Sequence, residues 1–163
     1  AQIDSTQRYA QKNQLFRNID GQRFADVSSS LGESFARENI GRGTAVADYD
    51  NDGDLDLVVC VQQERTRLLR NDGGQQNHWL EILLVGAQHP DALGARVRIE
   101  ADGLRQTRQR QSGGSYLSSH DPRLHFGLGR VAEVRVEVVW PDGQVQVLDA
   151  VAANQILRIE QGK

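Results

Sequence analysis

The residues best suited to chemistry are carboxylates that recur at every second position of one short stretch. Five acidic residues lie in it: Asp48, Asp50, Asp52, Asp54 and Asp56. Carboxylates this close together repel one another, so the spacing would destabilise a plain strand or turn. A Ca²⁺ ion relieves that repulsion, because it takes about six to eight oxygen ligands from a tight loop. Gly53, the sixth residue of the stretch, permits the sharp bend that wraps a chain around an ion.

The position of the last acid separates the types of calcium loop. An EF-hand loop has an acid at its twelfth residue and joins two helices, whereas the twelfth residue here is Val59 and the flanking runs are of β type. Dockerin-like loops need the same acid. An acid at the ninth residue matches the β-hairpin calcium loop of integrin-type propeller blades. In that loop Asp54 provides its backbone carbonyl, and the side-chain ligands are Asp48, Asp50, Asp52 and Asp56.

Other cations and a metal-free loop are the alternatives to a calcium site. Mg²⁺ takes few protein ligands and keeps its waters. Zn²⁺ favours His and Cys, which the loop lacks. A solvated acidic turn without metal is the remaining alternative. We expect Ca²⁺ because the loop offers many oxygens in a flexible arrangement.

Most of the chain outside the loop consists of short β-type runs that end in turn dipeptides. Residues 79–85 form a longer apolar run, and the Asp-Gly pairs at 102–103 and 142–143 are typical of hairpin turns. Helical periodicity is missing apart from a short turn near residues 28–35. The pattern predicts an all-β fold.

A short repeat indicates how the chain is organised. Leu-Phe-Arg-Asn at 15–18 returns as Leu-Leu-Arg-Asn at 68–71, 53 residues later, and an Asp-Gly turn follows each copy. This spacing is close to the length of one four-stranded propeller blade. The composition changes near residues 73–77, from an acidic segment to one with balanced charge. We therefore predict a blade-like unit over residues 1–76 and a second β domain over residues 77–163.

Charge and composition exclude several classes of protein. The formal net charge of −3 does not fit a nucleic-acid-binding domain, which would be strongly basic. No apolar run approaches the length of a membrane span. The single cysteine, Cys60, excludes an internal disulfide, and we expect it to be a buried small hydrophobic residue. Since the chain has no Met and no signal peptide, we expect Ala1 to begin a processed or excised chain.

Two sets of motifs carry a family resemblance. The repeat at 15–18 and 68–71 and the calcium hairpin at 44–59 resemble FG-GAP/VCBS-type propeller repeats. A series of motifs in the second half resembles the ASPIC/UnbV domain, which follows such repeats in the cartilage-acidic-protein family. These motifs are Asn-His-Trp-Leu (77–80), Gly-Ala-Arg-Val (94–97), Ser-Gly-Gly-Ser-Tyr-Leu-Ser (112–118), Asp-Pro-Arg-Leu-His-Phe-Gly-Leu-Gly (121–129), Trp-Pro-Asp-Gly (140–143) and Ala-Asn-Gln (153–155).

The resemblance implies a fold, a location and an absence of catalysis. The fold is an integrin-type β-propeller-blade-like calcium hairpin unit followed by an ASPIC/UnbV-like β-sandwich. The location is extracellular, at the cell surface or in the periplasm, since many bacterial members are secreted or envelope proteins. A propeller needs at least about four blades, and this chain holds roughly one. We therefore expect the blade to be completed by a parent-chain propeller or by self-association.

A catalytic serine is the main enzymatic alternative. Ser115, Ser118 and Ser119 lie near His120 and Asp121 in the sequence, which is the composition of a hydrolase triad. However, the Gly-x-Ser-x-Gly elbow of many serine hydrolases is missing, and closeness in sequence says nothing about triad geometry. The serine-rich stretch is more typical of a loop whose side chains bond to the backbone.

Basic and aromatic residues of the second half are candidates for ligand binding. Arg105, Arg108 and Arg110 could bind an anionic partner such as a sulfated glycan, but they are more typical of a charged edge strand. Trp79 and Trp140 lie in apolar runs, and we expect them in the core rather than stacked on a sugar.

Together these features predict a non-enzymatic, extracellular calcium-binding module for adhesion or protein–protein interaction, in which Ca²⁺ rigidifies a β-hairpin loop. A carbohydrate-binding module is the alternative, and a Ser/His hydrolase is a third. The partner, protein or glycan, is not identified by the sequence, and no nucleic-acid partner is expected.

Overall fold

The first half of the chain forms three small antiparallel sheets. Residues 9–74 and 76–163 are described in this computed structural model. The first elements are β1 (Gln11–Lys12), β2 (Phe16–Ile19), β3 (Arg23–Asp26), a 3₁₀ turn (Ser28–Ser30), α1 (Glu33–Ala36), β4 (Glu38–Asn39), β5 (Gly41–Ala47), β6 (Asp56–Val61) and β7 (Arg67–Leu69). The strand order is β5-β6-β7 in the largest sheet, with β1-β4 and β2-β3 as separate pairs. The short turns near residues 28–35 agree with the single helical signal in the sequence.

The second half forms two larger sheets. Its strands are β8 (His78–Val85), β9 (Arg96–Ala101), β10 (Leu104–Gln109), β11 (Leu124–Gly129), β12 (Glu133–Val139), β13 (Val145–Ala152) and β14 (Gln155–Glu160). One sheet has the antiparallel order β10-β9-β12-β13, and the other has the order β11-β8-β14 with β14 parallel to β8. The two predicted Asp-Gly turns join β9 to β10 and β12 to β13.

Both sheets of the second half contribute to a single hydrophobic core. Apolar side chains recur at every second position of β9 and β12, so each strand turns one face inward. The buried cluster consists of Leu80, Ile82, Leu84, Ala92, Ala95, Val97, Ile99, Phe126, Leu128, Val134, Val136, Val138, Trp140, Val151 and Ile159. This is the arrangement of a β-sandwich.

The first half contributes far fewer buried apolar groups. Among the described residues before β8, the buried apolar side chains are Phe35, Val59 and Val61. Cys60, which lies between two of them on β6, is exposed, so the prediction that it is buried is wrong. Successive residues of a strand face opposite sides, and the core side of β6 is already taken by the two valines.

The structure confirms the all-β class and agrees with a sandwich in the second half. Trp140 is buried, as expected, whereas Trp79 is half-buried. The blade-like character of residues 1–76 and the boundary at residue 77 stay predictions. Within the described ranges, no helix has the length and hydrophobicity required to cross a membrane.

Candidate metal centre

The candidate metal centre is the hairpin loop between β5 and β6. Pairing of the two strands places Ala47 opposite Asp56, so the aspartates at the two ends of the loop lie beside each other. Within the loop, Asn51 and Gly53 have positive φ angles of 59° and 97°. Asn and Gly tolerate this left-handed backbone better than other residues do, and it turns the loop back on itself.

Three of the five predicted aspartates converge in this loop. Carboxylate oxygens of Asp48, Asp50 and Asp56 all lie within 4.8 Å of one another. Asp48 and Asp56 are buried, with 1% and 2% of their surfaces exposed, while Asp50 is exposed. Burial of a charged carboxylate is costly unless a positive charge or hydrogen bonds compensate it.

Backbone amides of the loop hold the carboxylate of Asp48. Its Oδ1 accepts a hydrogen bond from the Asp52 amide at 3.1 Å, and its Oδ2 accepts one from the Gly53 amide at 2.9 Å. These two bonds fix the bend of the loop around the carboxylate. They also set the direction of the carboxylate oxygens before any ion binds.

Asp56 is held in the same way from two sides. Its Oδ2 accepts from the Tyr49 amide and its Oδ1 from the Asn71 amide, both at 2.8 Å. An ionised carboxylate has about four lone-pair sites, so each oxygen retains capacity for a cation after one such bond. The hydrogen bonds therefore orient both buried carboxylates and leave lone pairs on their oxygens for a cation.

The carboxylates of Asp52 and Asp54 lie outside the converging group. Asp52 accepts a hydrogen bond from the Asp54 amide at 3.1 Å, which shapes the loop. Asp54 is buried, and its Oδ2 accepts from the Gly74 amide at 2.9 Å. Its Oδ1 is buried and has no hydrogen-bond partner among the described residues. A buried oxygen of this kind is a place where a cation or its water would be favourable.

Each acidic residue of the loop makes ionisation of its acidic neighbours less favourable. Partial desolvation within the loop, together with the charges of Asp52 and Asp56, raises the pKa of Asp50 although this residue is exposed. Burial is also the largest cause of the raised pKa of Asp54, and neighbouring aspartates add to it. Like charges in a desolvated site shift pKa values upward in this way, and a bound cation would reverse the effect.

The loop rests on the second half of the chain through Trp79 of β8. A Cβ atom built on Gly53 would lie 1.9 Å from the Trp79 indole nitrogen, so only glycine fits beneath the ring. The ring of His125 on β11 lies on the same residue, with its Nε2 at 3.0 Å from the Gly53 carbonyl oxygen. A glycine at position 53 is therefore needed both for the bend of the loop and for the close approach of the two halves.

Arg123, which immediately precedes β11, makes the densest contact with the loop. Its Nη2 donates to the backbone carbonyl of Asp48 at 2.7 Å, and its Nη1 donates to Asn51 Oδ1 at 2.6 Å. The same guanidinium also pairs with Glu81 at 2.8 Å and with Asp121 at 2.5 Å. The guanidinium thus joins the loop to two carboxylates of the second half.

Glu81 is the acidic residue that lies deepest beneath this contact. It is 1% exposed on β8, and burial raises its pKa to about 7, although the charge of Arg123 opposes the rise. For Asp121, burial also raises the pKa, but hydrogen bonds from Arg123 outweigh it and hold the value below the ordinary one.

Sequence reasoning missed Arg123 and Glu81 as parts of the site. A signal for Glu81 was present, since it interrupts the apolar run of β8.

The residues of the hydrolase alternative are engaged elsewhere. His120 Nδ1 accepts a hydrogen bond from the Val46 amide at 3.2 Å. The Asp121 carboxylate is bound to Arg123. Ser115 forms an isolated β-bridge with Ser118. The stretch therefore forms a loop beside β5, and the hydroxyls of Ser118 and Ser119 donate to backbone carbonyls, as expected from the serine composition.

The other sequence candidates lie apart from the metal loop. Arg105 pairs with Glu100 on the neighbouring strand at 2.9 Å, and Arg108 is exposed near the end of β10, an edge strand. Trp140 donates to Gln146 at 3.2 Å from within the core. These contacts fit the structural roles expected for a charged edge strand and a core tryptophan.

The sequence comparisons identify the second half. Residues 86–163 match the ASPIC and UnbV family model. This range contains β9–β14, so the ASPIC/UnbV resemblance is confirmed.

The chain is also homologous to cartilage acidic protein 1. It is 34% identical to the protein of Mus musculus over 155 residues, which cover 91% of this chain and 24% of the relative. The identity is also 34% with the Homo sapiens protein over 144 residues (85% and 22%) and with the Xenopus tropicalis protein over 140 residues (82% and 22%). This chain thus spans about a quarter of the length of these relatives. The propeller-repeat resemblance of the first half stays a prediction.

Gly53→Ala is expected to destabilise the protein by more than about 2 kcal/mol, since it combines a strained φ with a clash against Trp79. Gly143→Ala is the matched control, because Gly143 has a similar φ of 86° but open space around it. We expect the control to cost about 1–2 kcal/mol. Urea denaturation measures both values, and equal losses would contradict the close packing of Gly53 beneath the indole.

Glu81 should make stability depend on pH. Its pKa is about 7 in the folded protein and 4.5 ordinarily, so between these values the folded state retains a proton that the unfolded chain releases. The free energy of unfolding therefore falls as pH rises through this window, by about 3 kcal/mol relative to Glu81→Gln, which cannot ionise. Urea denaturation from pH 4.5 to 8 in calcium-free buffer tests this. The exposed Glu133→Gln variant should follow the wild type, and parallel curves for wild type and Glu81→Gln would refute the assignment.

Proposed function

We propose that this chain is a non-enzymatic extracellular module whose hairpin loop binds Ca²⁺ and whose stability depends on that ion. The observation that supports the proposal is the burial of two converging carboxylates without a cationic partner. In residues 9–74 and 76–163, no arginine, lysine or histidine pairs with Asp48 or Asp56. Arg70 approaches the exposed Asp50 at 3.9 Å, and both side chains of that pair face solvent. Screening leaves such a pair with little free energy to offer.

Calcium fits the donor set better than other common cations. The converging atoms are all carboxylate oxygens, and the loop contains neither His nor Cys. Hard oxygen donors suit Ca²⁺ and Mg²⁺, but Mg²⁺ demands a stricter octahedral geometry and keeps most of its waters. Asp48, Asp50 and Asp56 would hold the ion, with Asp52 and the Asp54 carbonyl completing the set predicted from the sequence. The unpaired Asp54 Oδ1 would be satisfied by the ion or by a water bound to it.

The role of the ion is structural in this proposal. Ca²⁺ cancels the repulsion between the aspartates and locks the β5–β6 hairpin, so its binding free energy adds to the free energy of unfolding. Extracellular calcium modules bind with dissociation constants of about 10⁻⁴–10⁻³ M, which suits the ion concentration outside cells.

Interaction with another protein is favoured over sugar binding by the aromatic residues. Trp140 is buried, and the half-buried Trp79 packs against Gly53, so neither ring is fully exposed for stacking on a sugar. Phe16 and Phe24 are about half and two-thirds exposed, at 51% and 70%. The register of β2 and β3 places both on one face of a hairpin that lacks a third strand. Such a face is typical of a surface covered by another polypeptide, either a parent-chain propeller or a second copy.

Catalysis is not part of the proposal. The Ser/His alternative requires a free histidine next to a serine and an acid. His120 and Asp121 instead bond to the Val46 amide and to Arg123.

Calcium should raise the melting temperature of the wild-type chain by about 5–10 °C at 10 mM relative to chelator. This follows from a stabilisation of about 2.7 kcal/mol, since 10 mM is a hundred times a dissociation constant of about 10⁻⁴ M, and from the size of the chain. The same concentration of Mg²⁺ should produce a smaller shift. Identical melting curves in chelator and in Ca²⁺ would contradict the proposal.

Asp48→Asn and Asp56→Asn should abolish the calcium-dependent shift, because each removes a charge from the converging group. Asp102→Asn is the matched control, since Asp102 is an exposed aspartate of an Asp-Gly turn in the other half. The control should respond to Ca²⁺ as the wild type does. Isothermal titration calorimetry of the same variants measures binding directly, and retained affinity in both loop variants would place the ion elsewhere.

A further inference from the structure

The second half of the chain holds the metal loop through atoms that are not predicted metal ligands. Arg123 donates to the backbone carbonyl of Asp48 and to the side chain of Asn51. Neither acceptor is a carboxylate of the converging group. The contact therefore leaves the metal-binding oxygens free, while it fixes the chain that carries them.

The geometry of Arg123 is specific to a guanidinium. Its Nε and Nη2 both lie within hydrogen-bond distance of Asp121 Oδ2, at 2.9 and 2.5 Å, and its Nη1 lies 2.8 Å from Glu81 Oε2. The same two terminal nitrogens also reach the loop. The side chain is only 16% exposed, so the charge is well removed from solvent. A lysine ammonium presents one point charge and cannot make the hydrogen bonds to the loop and to Asp121 in addition to the ion pair with Glu81.

We propose that Arg123 is a positioning residue for the metal loop, which couples cation binding at the loop to docking of the loop on the sheet β11-β8-β14. The inference rests on the proposed function, because it requires the loop to bind a cation. Arg123 holds the Asp48 backbone and Asn51 in the bound conformation, and Glu81 and Asp121 hold Arg123. Residues that orient metal ligands in this way commonly change metal affinity by about 10–100-fold when altered.

A competing view treats Arg123 as a positive charge that repels the ion. On that view its removal would strengthen calcium binding, and a lysine would behave as the arginine does. The contacts argue against it, since the carboxylates of Glu81 and Asp121 both lie against the guanidinium. Two acidic partners offset part of the charge of one arginine, whereas its hydrogen bonds to the loop remain.

Coupling of this kind is reciprocal. If docking on the sheet raises calcium affinity by some factor, calcium must favour docking by the same factor. Trp79 reports on docking, because its indole lies directly on Gly53. Calcium-dependent tryptophan fluorescence therefore measures docking, and calorimetry measures binding.

Arg123→Lys and Arg123→Gln in the full chain, titrated with Ca²⁺ at pH 8, separate the two views. We expect both variants to bind Ca²⁺ about tenfold more weakly and to lose most of the Trp79 fluorescence change. Arg105→Lys is the control, because Arg105 is an exposed arginine that also pairs with a glutamate. It should bind as the wild type does. Unchanged affinity in Arg123→Lys, or tighter binding in Arg123→Gln, would overturn the positioning role.

Asn51→Gly tests the contact from the loop side without disturbing the buried arginine. Glycine accepts the positive φ of this position and removes only the amide that Arg123 binds. We expect affinity to fall about threefold to tenfold, and we expect the double variant with Arg123→Lys to bind no more weakly than Arg123→Lys alone. Additive losses would refute a shared contact. A wild-type chain that binds no Ca²⁺ would instead refute the proposed function, so the two failures are distinct.

Discussion

Repulsion between the aspartates of the β5–β6 loop is the constraint on which the rest of the first half depends. Two of these carboxylates are buried at the point where the hairpin closes, and the backbone amides around them orient the charges without cancelling them. The loop joins β5 to β6, the central strand of the largest sheet in this half, so repulsion at the loop acts on two of its three strands. A cation at the loop would remove this repulsion, whereas among the described residues no basic side chain forms an ion pair with Asp48 or Asp56.

The two halves of the chain differ in what stabilises them. The second half buries a continuous apolar cluster between two sheets, which suffices for a domain of its size. The first half buries Phe35, Val59 and Val61 and leaves Phe16 and Phe24 exposed. Small β units with so little core need another source of stability, such as an ion or a covering partner. Two such sources of stability are available to the first half. One is the cation proposed for its loop, and the other is the set of contacts that Trp79 and Arg123 make with that loop.

The parts of this structure that the sequence predicts are those set by local patterns. Alternation of apolar residues gives the strands, Asp-Gly pairs give the hairpin turns, and the spacing of aspartates gives the acidic loop, because each depends on neighbours in the chain. Exposure of Cys60 was not predicted, since which face of a short strand is covered depends on the rest of the fold. The contact of Arg123 with Asp48 was not predictable either. These residues lie 75 positions apart, and only the packing of β11 beside the loop brings them together.

At the contact between the halves, the cost of burying the charge of Glu81 opposes the gain from its pairing with Arg123. A buried carboxylate on β8 weakens the sandwich when it is charged, and its pairing with Arg123 only partly offsets that cost. The charge of Glu81 is therefore tolerated while Arg123 stays in place, and Arg123 gains two of its hydrogen bonds from the docked loop. If the loop moved away from the sheet, Arg123 would keep only Asp121 and Glu81 as partners. The contacts of Arg123 thus connect the metal loop of the first half to Glu81 in the core sheet of the second.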